Sequence, residues 1–190
     1  MSRLSETRVQ VLIPIAAALN GAIGYVVGNY PLPLPVPLYL DSIGTVLAGL
    51  LAGPLAGAIT GVLANAVLAI VNQPSWLLFA LPAAVIGLLA GLAGDRGLVR
   101  LRAPSGLARV LLVGLGVGVI AAAISAPIAA YVFGGATGAI GPDALVMYFR
   151  ALGSDIVKAS FYQSLLSDSV DKVLTFGLVW AALGALSPRL

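Results

Sequence analysis

Leu55-Ala56-Gly57-Ala58-Ile59-Thr60-Gly61-Val62-Leu63-Ala64-Asn65-Ala66-Val67-Leu68-Ala69-Ile70-Val71 carries no charge and a single amide, Asn65, at its middle. At 1.5 Å per residue such a run covers most of a hydrocarbon layer about 30 Å thick. Pro54, just before it, suits the first position of a helix, where the missing N–H costs nothing. The same apolar character spreads outward over the whole chain of 190 residues, which is 60% hydrophobic and 9% charged with a mean hydropathy of +1.07. A soluble domain of this size needs far more polar surface to cover its core. The sequence therefore predicts an all-α polytopic membrane protein, one integral membrane domain spanning residues 1–190. About six transmembrane helices are expected, near 9–28, 38–53, 54–71, 76–94, 107–133 and 168–187, with an external segment over 134–167.

The first run follows a polar start bearing Arg3 and Arg8, and its length favours a retained helix over a cleaved signal peptide. In Tyr30-Pro31-Leu32-Pro33-Leu34-Pro35-Val36-Pro37, alternate prolines remove donors and lock φ. That stretch reads as a stiff polyproline-like loop, either a lid over a membrane pocket or a rigid connector. The run over 38–53 would cover only about 24 Å as a helix, so it must start below the membrane surface. Asp41 near its start is then either a helix cap or part of a recessed site. Pro127 predicts a bend in the helix over 107–133.

There is no cysteine and no histidine, which removes disulfides, thiolate metal sites and the commonest metal ligand and general base. The net charge of +3 comes from scattered residues that orient a chain in a bilayer better than they would grip nucleic acid. With both termini cytoplasmic, Arg3, Arg8, Arg96, Arg100, Arg102, Arg109 and Arg189 face inward, while Arg150, Lys158 and Lys172 face outward. This bias predicts a multi-pass protein of the cell's inner (cytoplasmic) membrane whose 134–167 segment is external.

Gly49, Gly53, Gly57 and Gly61 recur every fourth residue, and Gly87 with Gly91 repeats the spacing. Small residues at this interval let membrane helices approach closely, so packing among the second to fourth helices is the main expectation. Gly114, Gly116 and Gly118 lie inside an apolar run without a following Lys-Ser or Lys-Thr, so they are not a phosphate loop. No nucleotide-binding motif occurs, and any use of ATP would need another subunit.

Polar groups inside a membrane each require a partner or a function. Asn65 is either an interhelical hydrogen bond or a ligand contact. Asp168, Asp171 and Lys172 are expected to open the last helix, where acidic groups suit the dipole and Asp168 could pair with Lys172 one turn on. Asp41, Asn65, Asn72, Gln73, Trp76, Tyr131, Tyr162, Asp168 and Lys172 are the candidate substrate-binding residues. Rings, amides and charges of this kind are what a pocket for a small polar molecule requires, although any single Tyr or Trp also serves as an interfacial anchor. Ala18 and Ala22 form a small patch on the first helix that suits internal packing or a docking partner.

The run Leu40-Asp41-Ser42-Ile43-Gly44-Thr45-Val46-Leu47-Ala48-Gly49, continuing into Gly53-Pro54-Leu55-Ala56-Gly57, resembles the substrate-binding S component of energy-coupling factor (ECF-type) ABC transporters. The late Asp171-Lys172, the helix count and the small chain agree with that resemblance. It implies a subunit that captures a vitamin or related micronutrient from outside. A transmembrane coupling subunit and cytoplasmic ATPase subunits would then drive its release, with no cofactor of its own. It further implies that Ala18 and Ala22, which match an Ala-x-x-x-Ala docking patch, meet the coupling subunit. A membrane sensor and a self-sufficient small carrier or channel are the competing classes. A membrane enzyme is the least expected, because no compact group of catalytic residue types is present.

Overall fold

The computed structural model describes residues 5–29, 37–71, 73–99 and 106–186, and its regular elements are all helical. They are α1 (Glu6–Asn29), α2 (Ile43–Ala52), α3 (Pro54–Val71), α4 (Ala80–Asp95), α5 (Gly106–Phe133), α6 (Ile140–Ala151) and α7 (Ile156–Leu186), with a 3₁₀ turn over Pro74–Phe79 leading into α4. Four helical segments are long and apolar enough to cross a membrane: Glu6–Gly28, Pro54–Val71, Pro74–Asp95 and Gly106–Phe133. They mark a membrane-embedded, multi-pass protein.

Three elements differ from the sequence reading. The short second segment is helical only over ten residues, Ile43–Ala52, so the backbone from Pro37 to Ser42 approaches it in non-helical form. The last helix does not open at Asp168. It begins at Ile156 and runs for 31 residues, which absorbs the end of the segment expected to be external and sets Asp171 midway along it. Hydropathy misplaced this start because Lys158, Gln163, Asp168, Asp171 and Lys172 interrupt the apolar pattern while the helix continues. Its true start is marked by Asp155, whose Oδ1 accepts the Lys158 N–H at 2.9 Å, as an N-cap should. Gly153, at φ +89°, ends the preceding helix in the left-handed region. The fourth helix likewise starts later than expected, because Trp76 lies within the 3₁₀ turn. On α5, the helix continues through Pro127 without a break.

α3 packs antiparallel on α4, and both enclose α2. The glycine spacing explains how. A Cβ on Gly57 would run into the Gly87 carbonyl, one on Gly61 into the Ala83 carbonyl, and one on Gly91 into Pro54. Without a hydrophobic drive between helices in lipid, this backbone proximity supplies the dispersion contacts that hold them. The largest interface joins α5 to α7. Val46, Ile86, Ala90, Val110, Val117, Phe176 and Leu183 meet where α2, α4, α5 and α7 converge and form the apolar core.

Candidate functional site

Midway along α7, Asp168, Asp171 and Lys172 are three and four residues apart and so share one face. That face turns inward, and all three are buried, at 5%, 0% and 2% exposure. Glycine makes this possible on the α5 side. A Cβ on Gly114 would lie 2.7 Å from the Lys172 carbonyl oxygen, and one on Gly118 would lie 2.6 Å from that of Asp168. The polar turns of α7 are thus clasped by a helix with no side chain at the point of contact.

Burying these charges is tolerable only with partners, and most are present. The Lys172 ammonium reaches Asp171 Oδ2 at 2.5 Å, donates to Ser42 Oγ at 2.8 Å, and stands 3.6 Å from Asp41 Oδ1. Asp171 Oδ1 accepts the backbone N–H groups of Tyr39 at 3.0 Å and Leu40 at 2.7 Å. Those two amides belong to the non-helical approach to α2, and irregular backbone inside a membrane must find such acceptors. Leu40 sits at φ +50°, a left-handed conformation that costs roughly 1–2 kcal/mol in a residue with a Cβ. The carboxylate of α7 holds it there. Nearby, Asn20 of α1 completes the start of α2. Its Oδ1 accepts the Gly44 N–H at 2.6 Å, and its Nδ2 donates to Thr45 Oγ1 at 2.7 Å.

Beside this network lies a cavity of about 80 Å³. A single water needs roughly 10–15 Å³, so the space suits a small solute. Asp41, Ser42, Asp168 and Lys172 give its lining charged and polar groups, and Asn65, Trp76, Phe79 and Pro82 also line it. Trp76 is fixed by its indole N–H, which donates to the Thr137 carbonyl at 3.1 Å. Thr137 is in turn held by Asp143, which accepts its backbone N–H at 2.9 Å. Gly24 and Gly28 of α1, Leu68 of α3 and Ser125 of α5 also border the space. The cavity therefore lies toward the ends at which α1, α3 and α5 finish, and Arg8, Arg96 and Arg109 stand at the opposite end of the bundle.

Of the residues singled out from sequence, Asp41, Asn65, Trp76, Asp168 and Lys172 come together around this cavity. Asn65 bonds back to the Gly61 carbonyl of its own helix at 3.1 Å, with no interhelical amide bond among the described residues. Lys172 pairs with Asp171 and Asp41, and not with Asp168 as its spacing suggested. Gln73 is exposed at the surface. Tyr131 is 76% exposed on α5, and Tyr162 leans on Phe149 with ring centroids 5.5 Å apart, so neither borders the cavity. Asn72 lies outside the described residues, as does the proline-rich loop from Tyr30 to Val36. Ala18 and Ala22 are exposed on the outer side of α1, while Ala16, Ala17 and Asn20 are buried on its inner side.

Sequence reasoning missed Asp171 as the acceptor that anchors the approach to α2. It also missed Tyr39, whose hydroxyl accepts from Gln163 Nε2 at 3.1 Å. The signal for Asp171 was its place beside Lys172 in an otherwise apolar stretch. Among the described residues, no group of three Asp or Glu side chains is arranged to hold a metal ion. No protein-family model, curated protein or solved structure matches the chain.

Proposed function

We propose that this chain captures a small polar solute, a vitamin or related micronutrient, at the external face of the inner membrane. In this reading it acts as the S component of an energy-coupling factor importer. The observation that carries the reading is the part-open cavity lined by charged side chains inside a membrane bundle, where polar groups are costly unless they serve a ligand. The chain crosses the membrane six times, by α1, by α2 with its approach, and by α3, α4, α5 and α7, with both termini cytoplasmic. Arg8, Arg96 and Arg109 then face the cytoplasm, and the cavity opens outward. Burial of Lys172 within α7 sharpens that charge bias, since only Arg150 and Lys158 are left on the outer side.

ATP hydrolysis comes from partner subunits, which dock through the exposed Ala18 and Ala22 face of α1. Small residues there allow close helix approach. The test is solute uptake by cells expressing the chain with a coupling module, alongside solute binding by the purified protein. Replacing Ala18 and Ala22 by Leu is expected to abolish ATP-driven uptake and leave binding unchanged, whereas Asp41→Ala weakens binding itself. Unchanged uptake in the Leu variant would remove the docking role. Robust solute flux through liposomes containing the chain alone would favour a self-sufficient carrier.

A further inference from the structure

Resting on the capture reading, we infer that the cavity takes a small organic cation, a protonated or quaternary amine with an apolar or aromatic body, whose charge is met by Asp168 and Asp41.

The argument is a charge inventory. Asp41, Asp168 and Asp171 surround a single ammonium, that of Lys172. Lys172 and Asp171 neutralise each other at 2.5 Å, and the remaining Asp171 oxygen is taken by two backbone amides. Asp41 keeps a 3.6 Å contact with Lys172 but remains 30% exposed toward the cavity. Asp168 is 5% exposed, and its Oδ2 has no hydrogen-bond partner among the described residues. A buried carboxylate oxygen without a partner carries an unrecovered desolvation cost, which a ligand placed in the adjoining cavity can recover.

Among the described residues, Lys172 is the cation that lines the cavity. Residues 9–95 contain no Lys, Arg or His, and this span includes the residues of the proline-rich loop and Asn72. Residues 110–149 contain none either. Lys158 is exposed and paired with Asp155 at 3.1 Å, and Arg150 donates to the Ser154 carbonyl. The balancing positive charge is then either a proton on the Asp168 carboxyl or a cation from outside the polypeptide, and the adjoining cavity has room for the second. The rest of the lining suits the body of such a ligand. Trp76 and Phe79 border the cavity, and aromatic rings attract desolvated cations. An anionic solute would meet two carboxylates and an ammonium already engaged, so the same inventory rejects it.

The experiment measures thermal unfolding of the full chain in detergent with millimolar benzylamine, benzyltrimethylammonium, benzoate or benzamide, for the native sequence and for Asp168→Asn. A raised midpoint with the two cations, reduced at least ten-fold in apparent affinity in Asp168→Asn, is the expected result. Asp168→Asn should fold, because the oxygen it alters bonds to nothing. If its unliganded midpoint falls, Asp41→Asn gives the same readout. Stabilisation by benzoate or benzamide alone would overturn the cation assignment and leave solute capture standing. So would a cation response unchanged in both Asn variants. No response to any probe would overturn both.

Discussion

Two helix pairs in this molecule use the same device to different ends. α3 meets α4, and α5 meets α7, each through glycines set four residues apart against the partner's backbone. Between α3 and α4 the contact is made by Gly57, Gly61, Ala83 and Gly87, none of which has a polar side chain. Between α5 and α7, Gly114 and Gly118 receive the turns that carry Lys172 and Asp168. The first interface is a weld of small residues. The second holds charged turns rigidly against a cavity while leaving their side chains to other partners. Close backbone packing therefore says little about function by itself, and what decides is the chemistry of the residues it positions.

The comparison breaks most severely at Lys172. Lys172→Met leaves Asp171 buried without its cation and should destabilise the protein by about 3–5 kcal/mol, measured by denaturant unfolding in mixed micelles. Adding Asp171→Asn should recover part of that loss, because an amide oxygen can still accept an N–H from Tyr39 or Leu40. A Lys172→Met protein as stable as the native one would mean the charged turn is not held as described.

A smaller effect is expected at the weld between α3 and α4. Gly87→Ala forces a Cβ against the Gly57 carbonyl and should cost roughly 1–3 kcal/mol in the same assay. Gly116→Ala, with nothing within 4 Å of the new carbon, is the matched control and should be close to neutral. Equal effects at the two sites would remove the packing argument.

The smallest effect lies at the exposed start of α7. The Asp155 carboxyl titrates below its ordinary value of 3.8, chiefly because its oxygen accepts the Lys158 backbone N–H and is approached by the Lys158 side chain. A lowered folded-state value means the contribution is complete above the unfolded value and disappears as pH falls through the folded one. Hydrogen exchange at residues 157–160, corrected for intrinsic rates, should accelerate only below about pH 4. In Asp155→Ala it should be raised at neutral pH and insensitive to acid.

The apolar helices were legible because lipid exposure writes itself directly into composition: the runs over 54–71 and 107–133 lie within a residue of α3 and α5. The first half of α7 was not, because a helix that turns Gln163, Asp168 and Lys172 inward loses the hydropathy signal while keeping its backbone. Hydropathy reports what faces lipid, and this face does not. Within the site, Asp41, Asp168 and Lys172 could be picked out as costly intramembrane charges. Asp171's role could not, since it depends on amides 131 and 132 residues away. Tyr131 and Tyr162 show the reverse error, as aromatic residues of suitable type that the helix rotation turns outward.

That long separation also dictates an order of events during synthesis. The Tyr39 and Leu40 amides leave the ribosome early, and the carboxylate that receives them is made 131 to 132 residues later. Until α7 is made, the Tyr39 and Leu40 amides lack the acceptor they have in the folded chain. The amino-terminal third is completed last, so a chain truncated before Asp171 would be left unfinished at both ends.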